Sequence, residues 1–173
     1  MAFALSLLLP AASLRGLRAQ PTAPLELVRS AQYELQYRIP AGWHQVREAT
    51  DTTLALTHVS PDQNMLFLLG QLRGAAASMT SAQARYHLTE KFGVPVNKQF
   101  ATRYNGIRFL ETTGMGSLGG RPLRYDALAA NHRGHVLLLY FLATPDAFMT
   151  HEPLVQDVLH SLSPYRPRRD GRR

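Results

Sequence analysis

The chain contains no cysteine. That absence excludes disulfides, thiolate zinc sites and a cysteine nucleophile together. It also excludes a lipid anchor, because acylation at a leader cleavage site requires a cysteine there. Positive charge is scarce where a folded domain would use it. The formal net charge is +7, but Arg15 and Arg18 stand near the start and Arg166, Arg168, Arg169, Arg172 and Arg173 near the end. Between Pro21 and Tyr165 there are 12 basic and 11 acidic residues, so the body is almost neutral. A nucleic-acid-binding domain carries its positive charge on the fold itself, and this body does not. No nucleic-acid partner is expected.

Long apolar runs are also missing. The longest near the start is Ala2–Leu9, followed by Pro10 and the small residues Ala11–Ser13. It is far short of the ~20 residues that cross a bilayer as a helix, and its length suits the apolar part of a cleavable signal segment. Cleavage after Ala19 would leave Gln20 first. No Lys or Arg precedes the run, and Leu17 is larger than the residue preferred three positions before a cleavage site. The competing reading is an N-terminal core helix, which Pro10 disfavours by interrupting it. Residues 1–19 are read as a signal peptide and 20–32 as an extended segment, with no transmembrane segment left after cleavage and a periplasmic or secreted destination.

What is present fits one globular domain, assigned to residues 33–163. The apolar fraction is 45% and the charged fraction 18%, ordinary values for a folded unit. Tyr33, Leu35, Tyr37 and Ile39 alternate with Glu34, Gln36 and Arg38, the pattern of a strand with one buried face. Pro40-Ala41-Gly42 makes a turn, with Trp43 after it. Thr52–Val59 and Met65–Leu72 read as a hairpin around Ser60–Asn64. Ser78–Phe92 reads as a helix with Met79, Ala82 and Tyr86 on its apolar face, capped by Ser78 or Ser81 and stopped by Gly93 and Pro95. Strand patterns resume at Val96–Arg103, Arg108–Thr113, Leu123–Asn131 and Val136–Ala143, punctuated by Asn105-Gly106, a loop from Gly114 to Pro122, and Arg133-Gly134. Pro145–Leu162 closes the domain as a helix striped by Leu154, Val155, Val158, Leu159 and Leu162, with Pro153 resetting it after a first turn.

Three strands, a helix, four strands and a helix make an α+β fold. Tight turns between consecutive strands give an antiparallel sheet. The continuous apolar runs at Met65–Leu72 and Val136–Leu142 need cover on both faces, which points to an α/β/α sandwich. The segment Arg38-Ile39-Pro40-Ala41-Gly42-Trp43, with Val158-Leu159-His160-Ser161-Leu162 ending the last helix, resembles the PsbP-like, Mog-type fold that includes bacterial DcrB-like exported proteins. The resemblance spans Tyr33 to Pro164. It implies an accessory or binding role and carries over no site residue. The Gly42-Trp43 pair also has a plain physical reading, a permissive turn and an aromatic plug at the sheet end.

Each candidate for chemistry has a simpler reading. Gly114-Met115-Gly116-Ser117-Leu118-Gly119 spells GxGxxG, but a dinucleotide site needs that motif between a strand and a helix N-terminus, and here another strand pattern follows. No cofactor is expected. A loop of that length offers instead a partner-contact surface, with Met115, Ser117, Leu118 and Arg121 as its contact residues. His132 and His135 flank a tight turn, yet two imidazoles without a third ligand make a poor metal site. His87, His151 and His160 lack metalloprotease spacing. None of Ser60, Ser78, Ser81, Ser117 and Ser161 lies in GxSxG, and Glu90, Glu111, Asp126 and Asp157 show no pairing. The arginine-rich tail, 164–173, is expected to be disordered. The function expected is a non-enzymatic accessory or binding protein of the bacterial envelope, its partner a protein or an envelope component. The alternatives are an envelope hydrolase with a site assembled from distant residues, and a cytoplasmic chaperone of the same fold if the leader is retained.

Overall fold

The structure is a computed structural model and describes residues 24–91, 98–118 and 120–166. The leader, the helix stop at Gly93 and Pro95, and the tail beyond Arg166 lie outside the described residues. In chain order the elements are β1 (Leu25–Ser30), β2 (Leu35–Pro40), β3 (His44–Ala49), β4 (Thr53–Val59), β5 (Met65–Leu72), a 3₁₀ turn (Gly74–Ser78), α1 (Ser81–Lys91), β6 (Lys98–Tyr104), β7 (Ile107–Leu118), β8 (Arg121–His132), β9 (His135–Ala143), α2 (Pro145–Ser161) and β10 (Ser163–Pro164). Seven strands form one antiparallel sheet in the order β3-β4-β5-β9-β8-β7-β6, and β1-β2-β10 form a second, smaller sheet.

The large sheet has two covered faces, as its central strands demand. On one face Met65, Phe67, Leu69, Leu137, Leu139, Phe141 and Leu128 pack with Phe148, Val155, Val158 and Leu159 of α2 and with Leu35, Tyr37 and Ile39 of β2. On the other face Leu72, Ala127, Ala129, Val136, Leu138 and Tyr140 pack with Ala76 and with Ala84 of α1. The α+β sandwich read from the sequence is therefore the architecture observed.

Five strands precede α1 rather than three. The segment assigned as extended, 20–32, includes β1, which pairs with β2 from Leu25↔Pro40 to Ser30↔Leu35. β3 pairs with β4 at the sheet edge, and only Val46 of its six residues is partly covered. The start of the expected tail is ordered too. Pro164 pairs with Leu35, and the Tyr165 N–H donates to the Glu34 carbonyl at 2.8 Å.

Helix α1 begins later than expected and turns a different face inward. Thr80 caps it: the Gln83 N–H donates to Thr80 Oγ1 at 3.2 Å, and the Thr80 N–H donates back to Gln83 Oε1 at 2.9 Å. This is the reciprocal capping box T-x-x-Q, so neither Ser78 nor Ser81 is the cap. Ala84 faces the sheet, whereas Ala82 and Tyr86 are exposed. Helix α2 is unbroken through Pro153, because the lost backbone donor of proline is tolerated on a helix already anchored by Phe148 before it and Val155 after it. Its last carbonyls are answered by Asn105, whose Nδ2 donates to His160 O and Leu162 O at 2.7 Å each, the orphan groups that any helix end leaves.

The expected loop from Gly114 to Pro122 is mostly strand. β7 and β8 are each 12 residues long and stay paired to Leu118↔Arg121. Gly114 is there for space, not for flexibility. It faces Tyr125 across the ladder, and a Cβ at position 114 would sit 2.5 Å from the Tyr125 hydroxyl oxygen. Gly114→Ala should therefore displace that ring and destabilise the domain by about 1–3 kcal/mol. A denaturant midpoint matching the parent protein would show that the ring is not held there.

Candidate binding cleft

The turn between β1 and β2, Ala31 to Glu34, overhangs one end of the large sheet. Beneath it lie Gln71 at the end of β5 and the β8–β9 turn carrying His132 and His135. Register explains the gathering: Gln71 pairs with Leu137, and His132 with His135, so all four residues reach the same end. Ala31, Gln32, Tyr33, Glu34, Gln71, His132, His135 and Leu137 line a cleft of about 220 Å³.

Glu34 fixes the overhang. Its backbone is left-handed, with φ 51°. Its carbonyl accepts from the Tyr165 N–H at 2.8 Å and from His132 Nε2 at 3.3 Å. Its carboxylate takes Arg133 Nη1 at 2.9 Å, and the same guanidinium nitrogen donates to Tyr165 O at 3.4 Å. Because a carbonyl can only accept, His132 carries its proton on Nε2, leaving Nδ1 as an acceptor. Burial lowers the pKa of His132, and the Arg133 charge adds to that effect. Burial likewise raises the Tyr33 phenol to about 12. Gln71 is only 8% exposed, and its Oε1 has no hydrogen-bond partner among the described residues.

The two histidines that flank the turn, His132 and His135, thus meet in a cleft. His132 Nε2 is occupied by the Glu34 carbonyl. Among the described residues no three His, Asp, Glu or Cys side chains lie together in a way that could hold an ion.

The residues expected to contact a partner sit elsewhere. Met115 pairs with Arg124, Ser117 with Pro122 and Leu118 with Arg121, all near the tip of the β7–β8 hairpin and not in a loop. Strand β8 has that tip at one end and His132 at the other, about 36 Å apart at ~3.3 Å per residue. Met115 is 42% exposed. Beside it, Arg124 lies 4.4 Å from the centre of the Phe148 ring and 3.6 Å from Glu152. The tip is thereby tied to α2.

Two carboxylates read as scattered are in fact neighbours. Glu111 opposes Leu128 and Thr113 opposes Asp126, which sets Glu111 and Asp126 diagonally on the α2 face of the sheet. Both are 3% exposed. The Tyr104 hydroxyl donates to Glu111 Oε2 at 3.4 Å. Burial raises both acids, and the Glu111 charge raises Asp126 further, to about 8, so near neutrality the two share a proton. His58 is a buried histidine (2% exposed) with structural partners, its Nε2 hydrogen-bonded to the Tyr37 hydroxyl at 2.7 Å and its ring stacked on Phe67. Burial lowers it to about 4.

No protein-family model and no curated protein sequence matches the chain. Solved structures do. A cyanobacterial PsbP, CyanoP from Synechocystis, superposes with a TM-score of 0.65 at 13% identity, covering 88% of this chain and 99% of that one. The fold is PsbP-like. The Pseudomonas aeruginosa protein PA94 gives a TM-score of 0.52 at 19% identity, covering 83% and 98% of the two chains. A Bacteroides thetaiotaomicron structure gives 0.56 at 11% identity, over 84% of this chain and 50% of that one. At these identities the likeness is one of fold. Among the described residues no helix of this PsbP-like domain is long and apolar enough to cross a membrane.

The acid pair sets a pH dependence. A folded-state pKa above the unfolded one means that the native state holds the extra proton. Stability is then full below the ordinary carboxylate pKa near 4 and is lost as pH rises toward 8. His58 acts oppositely, its contribution present above 6.5 and lost as pH falls toward 4. His132 is lowered in the same sense, and both histidines are neutral in the unfolded chain only about one pH unit above 6.5, so the interval from about pH 7.5 to 8.5 isolates the acids. Stability should decline there with a limiting slope of about 1.4 kcal/mol per pH unit. Asp126→Asn should flatten that slope, as followed by urea midpoints across the interval, and an unchanged slope would place the proton elsewhere.

Proposed function

We propose that the protein is an exported, non-enzymatic accessory protein of the bacterial cell envelope that works by binding. The cleft under the β1–β2 turn is its contact site, and the β7–β8 tip around Met115, Ser117, Leu118 and Arg121 is a second surface. The observation that carries this reading is the chemistry of the cleft. Its one carboxylate, Glu34, is paired with Arg133, and of its two histidines, His132 and His135, His132 is held by a backbone carbonyl. The acid pair with a shifted proton, Glu111 and Asp126, lies under α2 and does not line the cleft. Hydrogen-bonding groups around a cleft whose carboxylate is engaged by an arginine rather than hydrogen-bonded to a histidine favour holding a ligand over converting one.

Export rests on the sequence: an apolar run of signal length, small residues after Pro10, and a Gln-Pro-Thr-Ala-Pro segment after Ala19. The full chain, produced in a Gram-negative host, should appear in the periplasmic or secreted fraction with a mass that begins at or near Gln20. That mature protein should cross-link to an envelope component. A cytoplasmic product that keeps residues 1–19 overturns export, and a mature protein that yields no cross-link in intact envelopes overturns the accessory role.

A further inference from the structure

Strand β6 closes one edge of the large sheet, and no described strand pairs with its outer side. It joins β7 through Asn105-Gly106, whose φ angles of 45° and 89° are those of a two-residue hairpin turn with both central residues left-handed. Tyr104 and Ile107, paired across that turn, therefore exchange both backbone hydrogen bonds, and the ladder alternates from there. The backbone groups of Thr102 and Phe100 point to β7, and those of Arg103, Ala101 and Gln99 point outward. Such free groups are a template for another strand. Side chains alternate with the same period. Tyr104 lies in the core on the α2 face, so Phe100, 44% exposed, stands on that face and Arg103 on the other.

Arg103 pairs in register with Arg108 of β7, and both are exposed. Theirs is a pair without mutual hydrogen bonds, the arrangement that brings facing side chains closest. Like charges placed so destabilise a sheet. Neither arginine has an ion pair or hydrogen bond with a described residue. Protection of the edge accounts for Arg103, since a charged side chain on an edge strand deters stray pairing. It does not account for Arg108, which lies on the inner strand. β6 contains no acid, and the acids of β7 and β8, Glu111 and Asp126, are buried on the α2 face. The opposite edge differs: β3 carries Arg47 beside Glu48, and neither faces a like charge.

We infer that the outer edge of β6 takes an extended protein segment as an added strand, one whose side chains alternate between acidic and apolar. Its acids meet Arg103 and Arg108, and its apolar side chains extend the face of Phe100. A second copy of this chain fits worse. Outward backbone groups meet only outward groups, so β6 paired with itself sets a second Arg103–Arg108 pair on the same face of the joined sheet. The edge is separate from the cleft, none of whose lining residues belongs to β6. It depends neither on export nor on what the cleft holds.

The test is an NMR titration of the purified protein, reading the shifts and hydrogen exchange of the Ala101 and Arg103 amides. The probes are capped six-residue peptides: alternating glutamate and valine, alternating lysine and valine, and the first peptide with its glutamate nitrogens methylated. Each runs to about 5 mM, a range that captures low-millimolar affinity. The glutamate–valine peptide should give saturable shifts and slow the exchange of both amides. The other two should bind at least tenfold more weakly, one for charge and the other for its blocked backbone. Arg108→Gln should weaken binding at least threefold while leaving the unfolding midpoint unchanged or higher, because it removes a like-charge contact. Ala101→Pro removes an outward N–H and keeps the β6–β7 bonds, so it should abolish binding. Arg108→Gln, at an exposed position, decides alone if the proline variant does not fold. No saturable shift overturns the inference, as does equal affinity for the lysine–valine peptide or an unchanged affinity in Arg108→Gln. Equal affinity for the methylated peptide reduces the edge to an anion contact and overturns strand addition. A dimer that Ala101→Pro dissolves seats a second copy there instead, and overturns the acidic occupant. Each of these failures leaves the cleft and the accessory role standing.

Discussion

Strands β5 and β9 lie side by side at the centre of the large sheet, and both are apolar on both faces. A strand without a polar side cannot leave either surface in water. Every fully buried leucine or phenylalanine is worth about 1.5–3 kcal/mol against exposure, so two covering layers are required. The layers are unequal. One face takes large side chains, Phe67, Phe141, Leu139 and Phe148, beneath α2 and the small sheet. The other combines four alanines, Ala76, Ala84, Ala127 and Ala129, with Leu72, Val136 and Leu138 and with two tyrosines, Tyr125 and Tyr140. Gly114 belongs to this second layer, because the Tyr125 ring uses the room a side chain at 114 would fill.

The elements that carry the core were legible from sequence. β2, β4, β5, β9 and α2 have strong alternation, long apolar runs or a clear helical stripe. β1 and β3 leave no readable pattern, and burial explains why. Leu25–Ser30 and His44–Ala49 are edge strands that cover almost nothing, so their residues carry no period to read. In the first part of helix α1 the apolar contact with the sheet is Ala84, beside the Arg85 hydrogen bond to Thr112, a contact too small to impose a stripe, and the Thr80/Gln83 capping box is the better signal. The glycines at 114, 116, 119 and 120 suggested a loop, when the chain in fact continues as a paired ladder to Leu118. With the tip unrecognised, the register that brings Glu111 beside Asp126 was out of reach.

The cleft was hidden for a different reason. It joins residues 31–34, 71 and 132–135, segments related only by the sheet order. His132 and His135 were legible as neighbours across a turn, because Arg133-Gly134 gives them away. The third contributor was visible as an anomaly, one amide in an otherwise apolar central strand. Buried polar residues in such a run are uncommon enough to mark a position for attention. Glu34 could not have been anticipated, since its role comes from backbone as much as side chain: its carbonyl and its carboxylate reach Tyr165, His132 and Arg133 at once.

The two outer strands of the small sheet give the molecule a direction. β1 enters at the Pro40 end of β2, where Leu25 pairs, while β10 leaves at the Leu35 end, where Pro164 pairs. Chain entry and exit are thus separated by the length of β2, about 17 Å at ~3.3 Å per residue. The exit, through Tyr165, is at the rim of the cleft. Tyr165 is held there by Glu34 and Arg133, whereas Leu25 stands at the far end of β2. A label or fusion placed before Leu25 leaves the cleft open, whereas one placed after Arg166 crowds it.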